Sequence, residues 1–204
     1  MKKLELICGL CVLESRDLAM EVAGKIQESL EGVKDKVNFT FKGSFDKANR
    51  SSFDSYRGPG IEKGLQILEE VKQFYNVPVL TDIHLPDQCD EVASVVDVLQ
   101  VPAFLCRQTD LIVSAAKSCH SNGRKLNVKK GQFLSPEESK NIVSKVDSFL
   151  GKDSLMLTER GTSFGYNNLV VDMSSFEIMK QFGVTVIHDA THCVQRPGGL
   201  GKST

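Results

Sequence analysis

Several residue types able to do chemistry fall at the ends of apolar runs: Cys11, Lys42-Gly43-Ser44, Asp82-Ile83-His84, Gln100, Lys129-Lys130, Glu159-Arg160 and His192. Residues two apart on a strand share a face, so Lys42 with Ser44, and Asp82 with His84, can point into one mouth. Lys129 and Lys130 point oppositely, so only one of them faces it. Together with Lys47, Arg50, Arg57 and Arg160 these residues gather positive charge locally. The whole chain is balanced, with 25 basic and 26 acidic residues, so no global field suggests nucleic acid or a membrane surface. A local cation cluster suits phosphate and carboxylate groups, which arginine holds bidentately. The expected substrate is small and multiply anionic.

Something must bring these strand ends together. Seven apolar, β-branched runs read as strands: Leu4 to Leu13, Val37 to Ser44, Val77 to His84, Val96 to Ala103, Lys125 to Lys130, Leu155 to Gly161 and Val184 to His192. Helical periods separate them. Leu18, Val22, Ile26 and Leu30 recur every four residues after Ser15-Arg16-Asp17. Ile61, Leu65, Leu68, Val71 and Phe74 follow the turn Gly58-Pro59-Gly60. Ser135-Pro136-Glu137-Glu138 is a capping box with proline at the first helical position, ahead of an apolar face of Ile142, Val143, Val146, Phe149 and Leu150. Alternating strands and helices imply a parallel sheet. A doubly wound open sheet is the weaker reading, because Gly9 stands alone where a glycine-rich fingerprint would follow the first strand. A (β/α)8 TIM barrel is expected, with one rim carrying the chemistry. No linker or repeat divides the chain, so residues 1–204 read as a single domain.

Other features exclude more than they suggest. No run approaches the ~18–20 apolar residues of a membrane span, and the start reads as a first buried strand rather than a signal peptide. Six scattered cysteines read as reduced thiols in a cytoplasmic protein. Cys8 and Cys11 have redox-type spacing, but three residues apart on a strand they face opposite sides. His188-Asp189-Ala190-Thr191-His192 has metalloprotease spacing without the glutamate, on what reads as a strand, and His188 is taken as structural. Gly201-Lys202-Ser203 imitates a phosphate loop, but Arg196 stands where its first glycine is needed.

The stretch Phe41-Lys42-Gly43-Ser44-Phe45-Asp46-Lys47-Ala48-Asn49-Arg50-Ser51-Ser52 resembles the 3-deoxy-D-manno-octulosonate-8-phosphate synthase family. So do Thr81-Asp82-Ile83-His84, Gln100-Val101-Pro102-Ala103, Asn127-Val128-Lys129-Lys130, Glu159-Arg160-Gly161 and Asp189-Ala190-Thr191-His192, in order over nearly the whole chain. The resemblance implies condensation of phosphoenolpyruvate with arabinose 5-phosphate and water, in lipopolysaccharide Kdo biosynthesis. It places Lys42, Lys47, Gln100, Lys129 and Arg160 around phosphoenolpyruvate. Ser44, Asn49 and Arg50 fall to the sugar phosphate, with Arg50 reaching from a neighbouring subunit of a homotetramer. Ala103 joins the substrate-binding surface. Asp82 lies beside the reacting carbons, and Asp82, His192 and Lys129 are the catalytic candidates; which group moves the proton stays open. The Ala48-Asn49-Arg50-Ser51-Ser52 signature separates the chain from synthases using erythrose 4-phosphate.

Within that family, cysteine on the first strand marks the metal-dependent members. Cys11 with His192 gives a thiolate and an imidazole for manganese, iron, zinc or cobalt. A (β/α)8 barrel typically takes about 250 residues, and the chain reaches Thr204 inside what reads as the loop after strand seven. The expectation is therefore a barrel lacking its last βα unit. The alternative function is a non-catalytic truncated homologue that binds phosphorylated ligands or partner subunits.

Overall fold

The computed structural model of the chain describes residues 3–196. The Gly201-Lys202-Ser203 imitation and the tail around it lie outside the described residues. Seven parallel strands form one sheet: β1 (Leu4–Gly9), β2 (Val37–Lys42), β3 (Val79–Asp82), β4 (Val98–Val101), β5 (Lys125–Lys129), β6 (Leu155–Glu159) and, after a short antiparallel hairpin of β7 (Thr162–Ser163) and β8 (Leu169–Val170), β9 (Thr185–His188). Their spatial order is their sequence order, β1-β2-β3-β4-β5-β6-β9, as a β/α barrel wall requires. Among the described residues β1 and β9 do not pair with each other, so the wall is nearly closed. The hairpin was not expected.

Among the described residues six helices cover the outside: α1 (Arg16–Leu30), α2 (Ile61–Tyr75), α3 (Cys89–Val95), α4 (Thr109–Asn122), α5 (Lys140–Asp147) and α6 (Ser174–Lys180). Local chemistry sets their ends. Ser15 caps α1 by accepting the Leu18 amide at 3.2 Å. The capping box before α5 forms, with Ser135 N donating to Glu138 Oε2 at 2.8 Å and Glu138 N to Ser135 Oγ at 3.3 Å. Asn76, at φ 50°, ends α2 in the left-handed region. None of these helices is long and apolar enough to cross a membrane.

Alternation divides each strand between two environments. Val79, Leu99, Val101, Leu126, Val128, Leu155 and Leu157 point outward into the main core beneath the helices. Leu80, Val98 and Met156 point inward, with Ile7 and Ile187 against them. Two strand readings are corrected here. The first strand is only half-buried, with Leu4 65% exposed, because among the described residues it pairs on one side alone. The strands are also shorter than their apolar runs. β1 stops at Gly9, where an added Cβ would meet the Lys42 carbonyl oxygen at 2.2 Å, so Cys11 sits in a bend beyond the strand. β9 stops at His188, and His192 opens a separate 3-10 turn.

Candidate active site at the carboxyl ends of the strands

Two residues beyond Leu80 on the same face of β3 stands Asp82, buried beneath the mouth of the barrel. Its Oδ2 meets the Ser44 hydroxyl in a short hydrogen bond. Lys47 Nζ lies 3.4 Å and Lys42 Nζ 3.8 Å from the same oxygen, and Gln100 Nε2 donates to Oδ1 at 2.6 Å. Burial opposes ionisation of this carboxyl. The ammonium groups of Lys42, Lys47 and Lys129 and the Gln100 hydrogen bond outweigh it, holding Asp82 well below the usual carboxylate range. Burial pushes Lys42 down to about 7, against the pull of Asp82. Lys42 also donates to the Cys11 carbonyl at 3.0 Å and the Leu10 carbonyl at 3.3 Å, which fastens the bend after β1 to the mouth.

The opposite wall is built around Asp189. Its Oδ2 lies 3.2 Å from Lys129 Nζ and 2.8 Å from His192 Nδ1. The His192 hydrogen bond, with Lys129, overcomes burial and keeps Asp189 well below its ordinary range. Hydrogen bonds to Asp189 and to Cys11 raise His192. The same hydrogen bond to His192 is the main cause that lowers the Cys11 thiol, to about 6, with Lys47 and Lys42 helping against burial. Nδ1 of His192 being engaged, Nε2 is the ring nitrogen left for a second partner. Arg160 completes this wall; its Nη2 donates to Gln195 Oε1 at 3.0 Å. Its Nη1 is buried with no partner among the described residues, a donor waiting for an acceptor.

These residues surround a cavity of about 360 Å³. Of the expected site residues, Cys11, Lys47, Asn49, Arg50, Asp82, Ala103, Lys129, Arg160 and His192 line it. Lys42, Ser44 and Gln100 lie against Asp82 from beneath. Arg57 is a correction: it is exposed and paired with Asp46 at 2.5 Å, so it spends its charge outside the cluster. The two adjacent lysines part company as alternation requires. Lys129 faces the mouth, while Lys130 is wholly buried on the other side, 3.5 Å from Glu159 and donating to the Leu134 carbonyl at 3.2 Å and Thr162 Oγ1 at 3.1 Å.

Asp189, Phe104, Gln132 and Gln195 are site residues that the sequence reading does not single out. His84, expected to share a face with Asp82, does line the cavity with it. Asp189 was set aside with the protease-like spacing, because only the turn after β9 folds its carboxylate back onto His192. Gln132 and Gln195 sit on loops and carry no sequence signal. A larger groove of about 980 Å³ opens at the amino ends of the strands, but acidic and apolar residues such as Glu5, Glu28, Glu31, Phe39 and Met156 line much of it. The convergence of cations is at the carboxyl ends.

With this geometry in place, comparison with known proteins is specific. The description "DAHP synthetase I family" matches residues 2–204. The 2-dehydro-3-deoxyphosphooctonate aldolase of Fusobacterium nucleatum is 54% identical over 203 residues, covering 100% of this chain and 70% of the relative. That of Hahella chejuensis is 56% identical over 197 residues, covering 96% and 67%. That of Shewanella halifaxensis is 55% identical over 202 residues, covering 99% and 69%. Identity at this level does not favour the reading as a non-catalytic remnant.

Proposed function

We propose that this chain, which belongs to the DAHP synthetase I family, condenses phosphoenolpyruvate with D-arabinose 5-phosphate and water, giving 3-deoxy-D-manno-octulosonate 8-phosphate and inorganic phosphate. The reaction serves Kdo supply for lipopolysaccharide. The observation that carries this reading is the shared name of the relatives, 2-dehydro-3-deoxyphosphooctonate aldolase, at 53–56% identity over nearly the full chain. The mouth fits it chemically.

Two phosphorylated substrates repel each other, and Lys47, Lys129 and Arg160 offset that repulsion where they meet. The unpartnered Nη1 of Arg160, beside Lys129, suits the carboxylate of phosphoenolpyruvate. Lys42 lies deeper, and a proton it holds near neutral pH is retained more firmly once an anion arrives. Ser44, Asn49 and Arg50 serve the sugar phosphate from the segment after β2. The methylene carbon of phosphoenolpyruvate attacks the sugar aldehyde, water adds at the adjacent carbon, and phosphate leaves by carbon–oxygen cleavage. Asp82, kept ionised, acts as the carboxylate beside those carbons. His192 and Lys129 are the groups placed to hold or move protons on the far wall.

A divalent ion of manganese, iron, zinc or cobalt is part of the proposal, held by Cys11 and His192. Asp189 on Nδ1 leaves Nε2 for the ion, and the lowered Cys11 thiol favours its thiolate form. No group of three or more His, Cys, Asp and Glu gathers among the described residues, so these two donors are the chain's described share. Such an ion, when bound, supplies Lewis acidity toward water or a substrate oxygen.

A cytoplasmic homotetramer completes the reading. Supporting it, all six cysteines are free, and Phe53, Phe104, Phe133, Phe164 and Tyr166 are exposed on loops following the strands. Arg50 lies on such an exposed loop, where it can reach a neighbouring copy.

Phosphate release from phosphoenolpyruvate tests the proposal, using chelated protein and then the same protein with manganese or iron. Release with arabinose 5-phosphate, restored by metal, is the expected result. Turnover with erythrose 4-phosphate instead would overturn the sugar, and no release under any condition would overturn the activity.

A further inference from the structure

Behind Asp82 a file of buried polar side chains crosses four strands. Thr158 Oγ1 on β6 donates to Asn127 Oδ1 on β5 at 2.8 Å. Asn127 Nδ2 donates to Gln100 Oε1 on β4 at 2.8 Å, and Gln100 Nε2 donates to Asp82 Oδ1 on β3 at 2.6 Å. All four are nearly inaccessible, at 4%, 3%, 1% and 2% exposed for Asp82, Gln100, Asn127 and Thr158. None of their buried side-chain atoms lacks a partner. Buried polar groups of this kind are costly unless every one is matched, and matched networks are stiff.

The file has a direction. An ionised carboxylate only accepts, so Gln100 must offer Asp82 its nitrogen, which turns its oxygen toward Asn127. Asn127 then must donate, which turns its own oxygen toward Thr158, and a hydroxyl can satisfy it. Reversing the Gln100 amide alone would set oxygen against the Asp82 carboxylate and nitrogen against the Asn127 nitrogen. We propose that Asn127 and Thr158 are positioning residues, which through the Gln100 amide hold the Asp82 carboxylate in one orientation beneath the mouth. The proposal rests on the reading of Asp82 as the carboxylate beside the reacting carbons. Neither residue touches the cavity, so both act only through others.

The unaltered chain's phosphate release tests the reaction, while the relay is read without turnover. In protein carrying 15N in its glutamine side chains, the Gln100 amide protons, assigned by their loss in Gln100→Glu, exchange slowly with water. Thr158→Val keeps the shape and removes the hydroxyl; it speeds that exchange, and lowers kcat, by roughly tenfold. KM for phosphoenolpyruvate stays within about twofold, because the cations that bind it are untouched. Thr158→Ser restores both quantities. Asn127→Asp exchanges a donor for an acceptor that competes with Asp82 for Gln100, and its loss of kcat exceeds that of Thr158→Val. If Asn127→Asp does not fold, the two Thr158 variants decide. Unchanged exchange and kcat in Thr158→Val overturn the proposal. So does a loss that Thr158→Ser fails to restore, since that would mark packing rather than the hydroxyl. No phosphate release by the unaltered chain would overturn the reaction, leaving the exchange rates to decide the relay.

Discussion

The same strands carry two interiors. Toward the amino ends Leu80, Val98 and Met156 meet inside the wall, with Ile7 and Ile187 beside them. Two residues further along β3, β4 and β6, on the same face, stand Asp82, Gln100 and Thr158, with Asn127 of β5 in the file. Strand geometry is the same in both layers, so the difference is in what each group requires. Apolar side chains need only be covered, and one layer of neighbours does that. The polar layer must match every donor to an acceptor, and it tolerates like charges only because Asp82 and Asp189 stand among the lysines. Stability is drawn from the first layer and the outer core; directed charge is drawn from the second.

The sharpest way to break the comparison is inside the mouth. Asp82→Asn should lower kcat by about 100-fold or more while the far-ultraviolet circular dichroism stays native. Leu80→Ala, two positions earlier, should do the reverse. It should destabilise by about 2–5 kcal/mol in urea unfolding and leave kcat of the folded fraction within about twofold. A kcat loss in Leu80→Ala as deep as that in Asp82→Asn would mean the layers are not separable.

Adjacent lysines sharpen it further. Lys129→Met should lose activity at a smaller cost in unfolding midpoint than Lys130→Met, because Asp189 keeps His192 as a partner. Lys130→Met leaves Glu159 buried without its cation and should cost about 3–5 kcal/mol, a cost that pairing it with Glu159→Gln partly relieves.

Thiols titrate the same contrast. In chelator-treated protein, alkylation of Cys11, assigned with Cys11→Ser, should be half-maximal near pH 6 and decline as pH falls through that value, because the thiolate is the nucleophile. Cys119, pushed up to about 12 by burial in the outer core, should stay unreactive at neutral pH. The depressed carboxyls predict a second pH effect. Asp82 and Asp189 have folded values below their unfolded ones, so their contribution to stability is complete above about pH 4 and is lost as pH falls below it. A flat unfolding midpoint from pH 5 to pH 2 would contradict that. The smallest effect belongs to Arg57→Ala, whose exposed pair with Asp46 should leave both activity and midpoint unchanged.

By itself the sequence determined the order of strands and helices, since periodicity and caps are local: Ser15 and Ser135-Pro136-Glu137-Glu138 do what their spacing announces. It also determined which strand-end side chains share the mouth, because alternation of two assigns faces, as Lys129 and Lys130 show. Strand ends were less legible. Apolar runs continue past the last hydrogen-bonded residue, so Cys11 and His192 read as strand residues although both lie in turns. Only the tertiary structure decided the return of Asp189 onto His192 and the diversion of Arg57 to Asp46. Each depends on where a loop closes in space, and loop closure is set by contacts far apart in the chain. The file from Thr158 to Asp82 belongs there too: hydrogen-bond direction across four strands follows from their register in space, which no local pattern encodes.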